Sequence, residues 1–238
     1  MPKTGNLDLN GIVVIVGNYG SGKTEVAINL AVDQTRRGTA VRVADLDLVN
    51  PYFRTREARQ ILSKLGIDIV LPPEGWLKAD LPILSPRVAG LIRDPGQLAI
   101  LDVGGDGVGA RVLAALADAF FDAARIPMQL FQVINPFRPN TANVQQCLAM
   151  QHAIEAASHL KVTGWIGNPH LMDETTEEHI RQGYALMQEL ADHSGLPLVC
   201  MAISESLVQQ MQTRIMQCPV LVIQRQLVPP WRDPVAIS

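Results

Sequence analysis

Apolar residues along the chain fall into two kinds of run that take turns. Short stretches dense in β-branched residues read as strands covered on both faces: IVVIVG (12–17), VRVAD (41–45), DIVL (68–71), LAILD (98–102), QLFQVI (129–134), KVTGWIG (161–167), LPLVC (196–200) and PVLVI (219–223). Between them the apolar positions recur at helical spacing: Val26/Leu30 and Ala27/Ala31, Val112/Leu116/Phe120, Val144/Leu148 with Cys147/Ile154, and Ile180/Tyr184/Met187 behind the acidic start DETTEE. Parallel strands need crossovers of this length. The alternation therefore predicts an α/β chain with a doubly wound, mostly parallel sheet of about seven or eight strands and helices on both faces.

One connection departs from this rhythm. Residues 72–97, PPEGWLKADLPILSPRVAGLIRDPGQ, are rich in proline and glycine and predict an irregular excursion. Apolar residues persist through it (Trp76, Leu81, Ile83, Leu84, Val88, Leu91), so it belongs to a single domain spanning 1–238 rather than linking two. It reads as a loop packed on the sheet edge, with closure over a ligand or contact with a partner as the alternative.

Composition narrows the function. Hydrophobic residues make up 47% of the chain against 18% charged, with mean hydropathy +0.13, which is ample material for a core. The net charge of −3, from 20 Lys+Arg and 23 Asp+Glu, comes without a basic run, so nucleic acid is not an expected partner. The N-terminal MPKTGNLDLNGIVVIVG lacks the long apolar region of a signal peptide, and no window approaches the roughly 18 apolar residues of a membrane helix. The terminal LVIQRQLVPPWRDPVAIS carries no basic amphipathic helix. The expectation is a cytoplasmic protein without a membrane partner. Cys147, Cys200 and Cys218 are odd in number and far apart, so they read as reduced thiols, and the five histidines show no metal-ligand spacing.

Three motifs carry chemistry. Gly17-Asn18-Tyr19-Gly20-Ser21-Gly22-Lys23-Thr24, followed by Glu25, satisfies G-x-x-x-x-G-K-[ST] between a strand and a helix. Such a loop turns its backbone amides inward as an anion nest, Lys23 reaches the β- and γ-phosphates of a bound nucleotide, and the Thr24 hydroxyl ligates Mg²⁺. Asp102 ends an apolar strand as a Walker B carboxylate would, and Gly105 completes D-x-x-G, whose glycine amide can sense a γ-phosphate. Asp45 and Asp47 stand two residues apart at the carboxyl end of the second strand. They point the same way if the strand continues, one towards a metal and the other towards a water, with helix capping as the alternative.

Together these stretches resemble the P-loop NTPases of the MinD/ParA and nitrogenase iron protein type, the SIMIBI class. VGNYGSGKTE, DLDLVNPYFR, DVGGD, NPFRP and GNPHLMDETT look closer still to a bacterial branch of that class described only as nucleotide-binding. The resemblance implies ATP and Mg²⁺ as cofactors. It also implies that Asp47 activates the attacking water, that Lys23 acts in catalysis, that Thr24, Asp45 and Asp102 form the metal site, and that Asn168 reads the purine. The absence of N-K-x-D favours ATP over GTP. The function implied is a slow Mg²⁺-ATPase acting as a nucleotide switch or maturation factor for a protein partner, with a homodimer also allowed. A small-molecule kinase or ATP-dependent synthetase, and a non-catalytic nucleotide sensor, are the alternatives. Asn18 departs from the pattern, because MinD/ParA relatives carry there a lysine that reaches a partner's nucleotide. Either a partner supplies the missing cation, or an arginine of this chain does, with Arg54, Arg56 and Arg111 as candidates; under the kinase reading, these arginines and NPFRPNT (135–141) would be the anion clamps of an acceptor pocket.

Overall fold

The computed structural model describes residues 7–46, 62–70, 86–211 and 216–226. Eight strands form one sheet: β1 (Gly11–Gly17), β2 (Val41–Leu46), β3 (Asp68–Val70), β4 (Leu98–Val103), β5 (Met128–Ile134), β6 (Gly164–Gly167), β7 (Leu198–Ser204) and β8 (Val220–Ile223). Their order is β3-β2-β4-β1-β5-β6-β7-β8, and every neighbouring pair is parallel. The eight predicted strands are all present. The helices are α1 (Lys23–Arg36), α2 (Pro86–Arg93), α3 (Asp106–Ala115), α4 (Ala117–Asp122), α5 (Val144–Ser158), α6 (Glu177–Ser194) and α7 (Glu205–Gln210).

Both sheet faces are covered, as uninterrupted apolar strands require. Val13, Ile15, Val43, Ile100 and Phe131 pack with Val26, Ala27, Leu30 and Ala31 of α1. Alternate residues of the same strands, among them Val14, Val16, Leu101, Val103 and Leu130, pack on the other face with Val112 and Leu113 of α3, Val144 and Cys147 of α5, and Ile180 and Met187 of α6. The strand order reverses around β1, which lies between β4 and β5. Loops leaving the carboxyl ends of these strands meet at that switch point, the place where open α/β sheets bind ligands.

Two local features differ from the periodicity. The Val112/Leu116/Phe120 spacing predicts one helix, but the chain turns at Leu116 (φ −96°, ψ 7°), so that α4 leaves the axis of α3. α4 then meets α2, with Arg93 and Asp122 joined in an ion pair at 2.8 Å. Within the excursion at 72–97, residues 86–93 are helical, burying Val88, Leu91 and Ile92, while 72–85 lie outside the described residues. The cysteines are free, and burial pushes the thiols of Cys147 and Cys218 up to about 12 and about 11, which keeps them protonated and unreactive. Among the described residues no helix is long and apolar enough to cross a membrane.

Candidate functional site

The glycine-rich loop leaves β1 at Gly17 and enters α1 through Gly22, whose φ of 86° is left-handed and whose position carries no side-chain cap. A Cβ there would collide with the Asn168 amide nitrogen, so both backbone conformation and space select glycine. The first amides of α1 have no intrahelical carbonyl to bond, and they open towards the loop as an anion site. Lys23 and Thr24 are both buried, and the Lys23 Nζ donates to the Asn18 carbonyl at 3.1 Å, lying across the mouth of the loop.

Beneath the loop stand two acids. Asp45 of β2 and Asp102 of β4 are direct register partners on adjacent strands, and Ile15 of β1 pairs with Asp102 on the other side. Each lies two residues beyond an apolar residue that faces α1, Val43 and Ile100, so both carboxylates point to the α1 side of the sheet. They are 7% and 1% exposed. A threonine hydroxyl and two carboxylates are hard oxygen donors of the kind Mg²⁺ takes, one or two carboxylates completed by phosphate oxygens and water. Among the described residues no group of three or more His, Cys, Asp or Glu side chains is placed to hold a metal ion. Asp47, Arg54 and Arg56 lie outside the described residues.

The D-x-x-G turn closes the mouth from the β4 side. A Cβ on Gly105 would stand 2.9 Å from the Tyr19 amide nitrogen and 3.1 Å from the Lys23 Nζ, so the turn rests directly on the loop. Arg111 projects from α3 as an exposed residue.

Sequence reasoning gave the loops after β5 and β6 less than they do. Asn168 is buried, and its amide donates to the Ser21 carbonyl at 2.7 Å, so it braces the glycine-rich loop. Asn135, also buried, donates to the His170 carbonyl at 2.9 Å and ties the two loops together. The Asn18 amide donates to the Pro139 carbonyl at 2.6 Å, fixing the phosphate loop to the β5 loop. The signal was the repeat of Asn-Pro after successive strands, at 135–136 and 168–169. Glu25, expected to touch the nucleotide, accepts from the Asn29 side chain at 3.0 Å and the Gln226 amide at 2.7 Å, holding Gln226 beside α1.

His170 sits in this wall. Burial, and then the positive charges of Arg138 and Arg225, pull its pKa down to about 4. An unfolded histidine titrates near 6.5, so between about pH 6.5 and 4 the unfolded chain gains a proton that the folded chain refuses. Stability is therefore lost as the pH falls through that window and is unaffected above it. Urea unfolding at pH 7.5 and pH 5 should show a drop that is smaller in His170→Gln. An equal drop in both proteins assigns the acid sensitivity elsewhere.

No protein-family model matches the chain, and no curated protein matches it. Solved structures do. Cell division protein FtsY from Thermotoga maritima aligns with 19% identity and a TM-score of 0.55 over 81% of this chain and 61% of its own. Chloroplast FtsY from Physcomitrella patens gives 19% and 0.55 over 84% and 60%. Signal recognition particle receptor FtsY from Elizabethkingia anophelis, in complex with GDP, gives 18% and 0.53 over 84% and 59%. The chain thus spans about three fifths of the length of these neighbours. The shared property is the fold, an α/β P-loop NTPase-like sheet with its glycine-rich loop at the switch point.

Proposed function

We propose that this chain is a Mg²⁺-dependent ATP-binding protein of the SIMIBI type that hydrolyses ATP slowly and uses the bound state to switch or mature a protein partner. The observation that carries the reading is one juxtaposition. A buried lysine and threonine at the start of α1 stand at the switch point, where the register brings two buried carboxylates side by side. Lys23 and the amides of residues 20–24 hold the phosphates, and Thr24 with Asp45 and Asp102 holds the metal. Bound magnesium supplies charge neutralisation across the β- and γ-phosphates. Asp47 orients the attacking water, Gly105 reports the γ-phosphate through its contact with the loop, and the Asn168 Oδ1 faces the base. The fold shared with FtsY supports the class, and the GDP bound to one of those neighbours keeps a guanine nucleotide as the second reading.

Calorimetric titration with slowly hydrolysed Mg-ATP and Mg-GTP analogues tests this. Binding of the ATP analogue, with linear phosphate release from ATP and no added acceptor, is the expected result. Preference for the GTP analogue moves the base assignment, and binding of neither removes the reading.

A further inference from the structure

We propose that Arg138 is a nucleotide-directed cation supplied by this chain, a guanidinium fixed against the flank of the phosphate loop that adds affinity for a bound triphosphate. The proposal rests on the reading of that loop as a nucleotide site.

Arg138 lies across Gly20. Its Nε donates to the Gly20 carbonyl at 3.2 Å, and Nε, Cδ and Cζ stand 3.3, 3.6 and 3.8 Å from where a Cβ on Gly20 would be. One donor is occupied at that carbonyl, and the planar fork has four more. Arg138 is half-buried, yet none of the ion pairs among the described residues includes it. Its charge is felt inside the wall, since it is one of the two cations that hold His170 neutral. A partly desolvated guanidinium that pairs with no carboxylate among the described residues, set against a loop whose amides gather anions, is completed by an anion.

The segment that carries it is rigid. The Arg138 amide donates to the Asn135 carbonyl at 3.1 Å, and the Thr141 hydroxyl lies 2.8 Å from the Asn135 carbonyl and 3.2 Å from that of Arg138. Asn18 completes the arrangement. Its Oδ1 accepts from the Tyr19 amide at 2.7 Å and its Nδ2 donates to the Pro139 carbonyl, so the side chain has both ends engaged and does not extend to a phosphate. Where MinD/ParA-type chains place a lysine, this chain places a clasp that fastens the neighbour of an arginine to the loop. The cation has moved to another segment, one that neither Arg54, Arg56 nor Arg111 belongs to.

Arg138→Gln keeps a donor for the Gly20 carbonyl and removes the charge. Calorimetry with a slowly hydrolysed Mg-ATP analogue and with Mg-ADP, at about 50 and 200 mM salt, separates charge from packing. The expected result is a loss of about five- to tenfold for the triphosphate, a smaller loss for the diphosphate and a shallower salt dependence. Arg181→Ala, at an exposed arginine paired with Glu177, serves as the charge control and binds as wild type. Unchanged affinity and salt dependence in Arg138→Gln overturn the proposal while leaving the nucleotide site intact, whereas a wild-type protein that binds no nucleotide overturns both. Phenylglyoxal labelling of wild-type protein, read by peptide mass spectrometry, tests the same contact without any substitution. Labelling of Arg138 should fall several-fold when the analogue is added while that of Arg181 stays constant, and equal labelling of Arg138 in both conditions overturns the proposal.

Discussion

Lys23→Ala is expected to weaken nucleotide binding at least tenfold, and under ordinary titration conditions to abolish the heat of binding. A factor of ten corresponds to about 1.4 kcal/mol, and one charge-assisted hydrogen bond already contributes about 1.5–3 kcal/mol. Lys23 is 7% exposed, so its ammonium meets a phosphate with little water between them, which places the effect at or above the upper end of that range. The structural cost is smaller. The loop loses a bond to the Asn18 carbonyl at 3.1 Å among its contacts, a net loss of about 1 kcal/mol for such a bond, and the variant is expected to fold. Calorimetry with the ATP analogue, beside a thermal melt showing a cooperative transition, checks both halves. Unchanged affinity in a folded variant would remove the loop's assignment as a phosphate site.

The parts of this molecule that could be read from the chain are those with a local physical signature. Strands buried on two faces must be apolar without interruption, and IVVIVG or LAILD admits few other structures. The phosphate loop was legible for the same kind of reason, since Gly22 needs a left-handed backbone and space against Asn168. What escaped is set by contacts between distant segments. Nothing in NPFRPNT indicates that Arg138 will lie on Gly20, because that depends on β5 being the neighbour of β1 and on a clasp from Asn18 across 121 positions of sequence. That the Glu25 carboxylate accepts from the Gln226 amide was likewise not legible, because it depends on β8 returning beside α1. Leu116 fits a continuous helical stripe, yet the chain turns there and α4 packs beside α2, a contact between segments distant in sequence. The placement of Asp45 beside Asp102 falls between these cases: each acid was visible as a strand end, but their pairing required the order β2-β4-β1.

That pairing leads to the second large effect. Adjacent strands are about 4.8 Å apart, so negative charges on register partners repel one another across that short spacing. A divalent cation offsets this repulsion and draws its affinity from both acids. Asp102→Asn keeps the size of the side chain and removes one of the charges, at a position 1% exposed where water cannot replace it. The metal's attraction should then fall by more than the phosphates alone can restore. Addition of Mg²⁺ to the nucleotide-bound protein should no longer raise its melting temperature, and phosphate release should fall by about two orders of magnitude or more. Asp47→Asn is the contrasting variant, because its proposed task is to orient water rather than to hold the metal. It should keep the Mg²⁺-dependent rise in melting temperature and lose turnover alone. The two variants therefore divide metal binding from water activation, with melting temperature and phosphate release as independent readouts. An undiminished Mg²⁺ effect in Asp102→Asn transfers the metal to Asp45. Wild-type phosphate release in Asp47→Asn assigns the water to another residue.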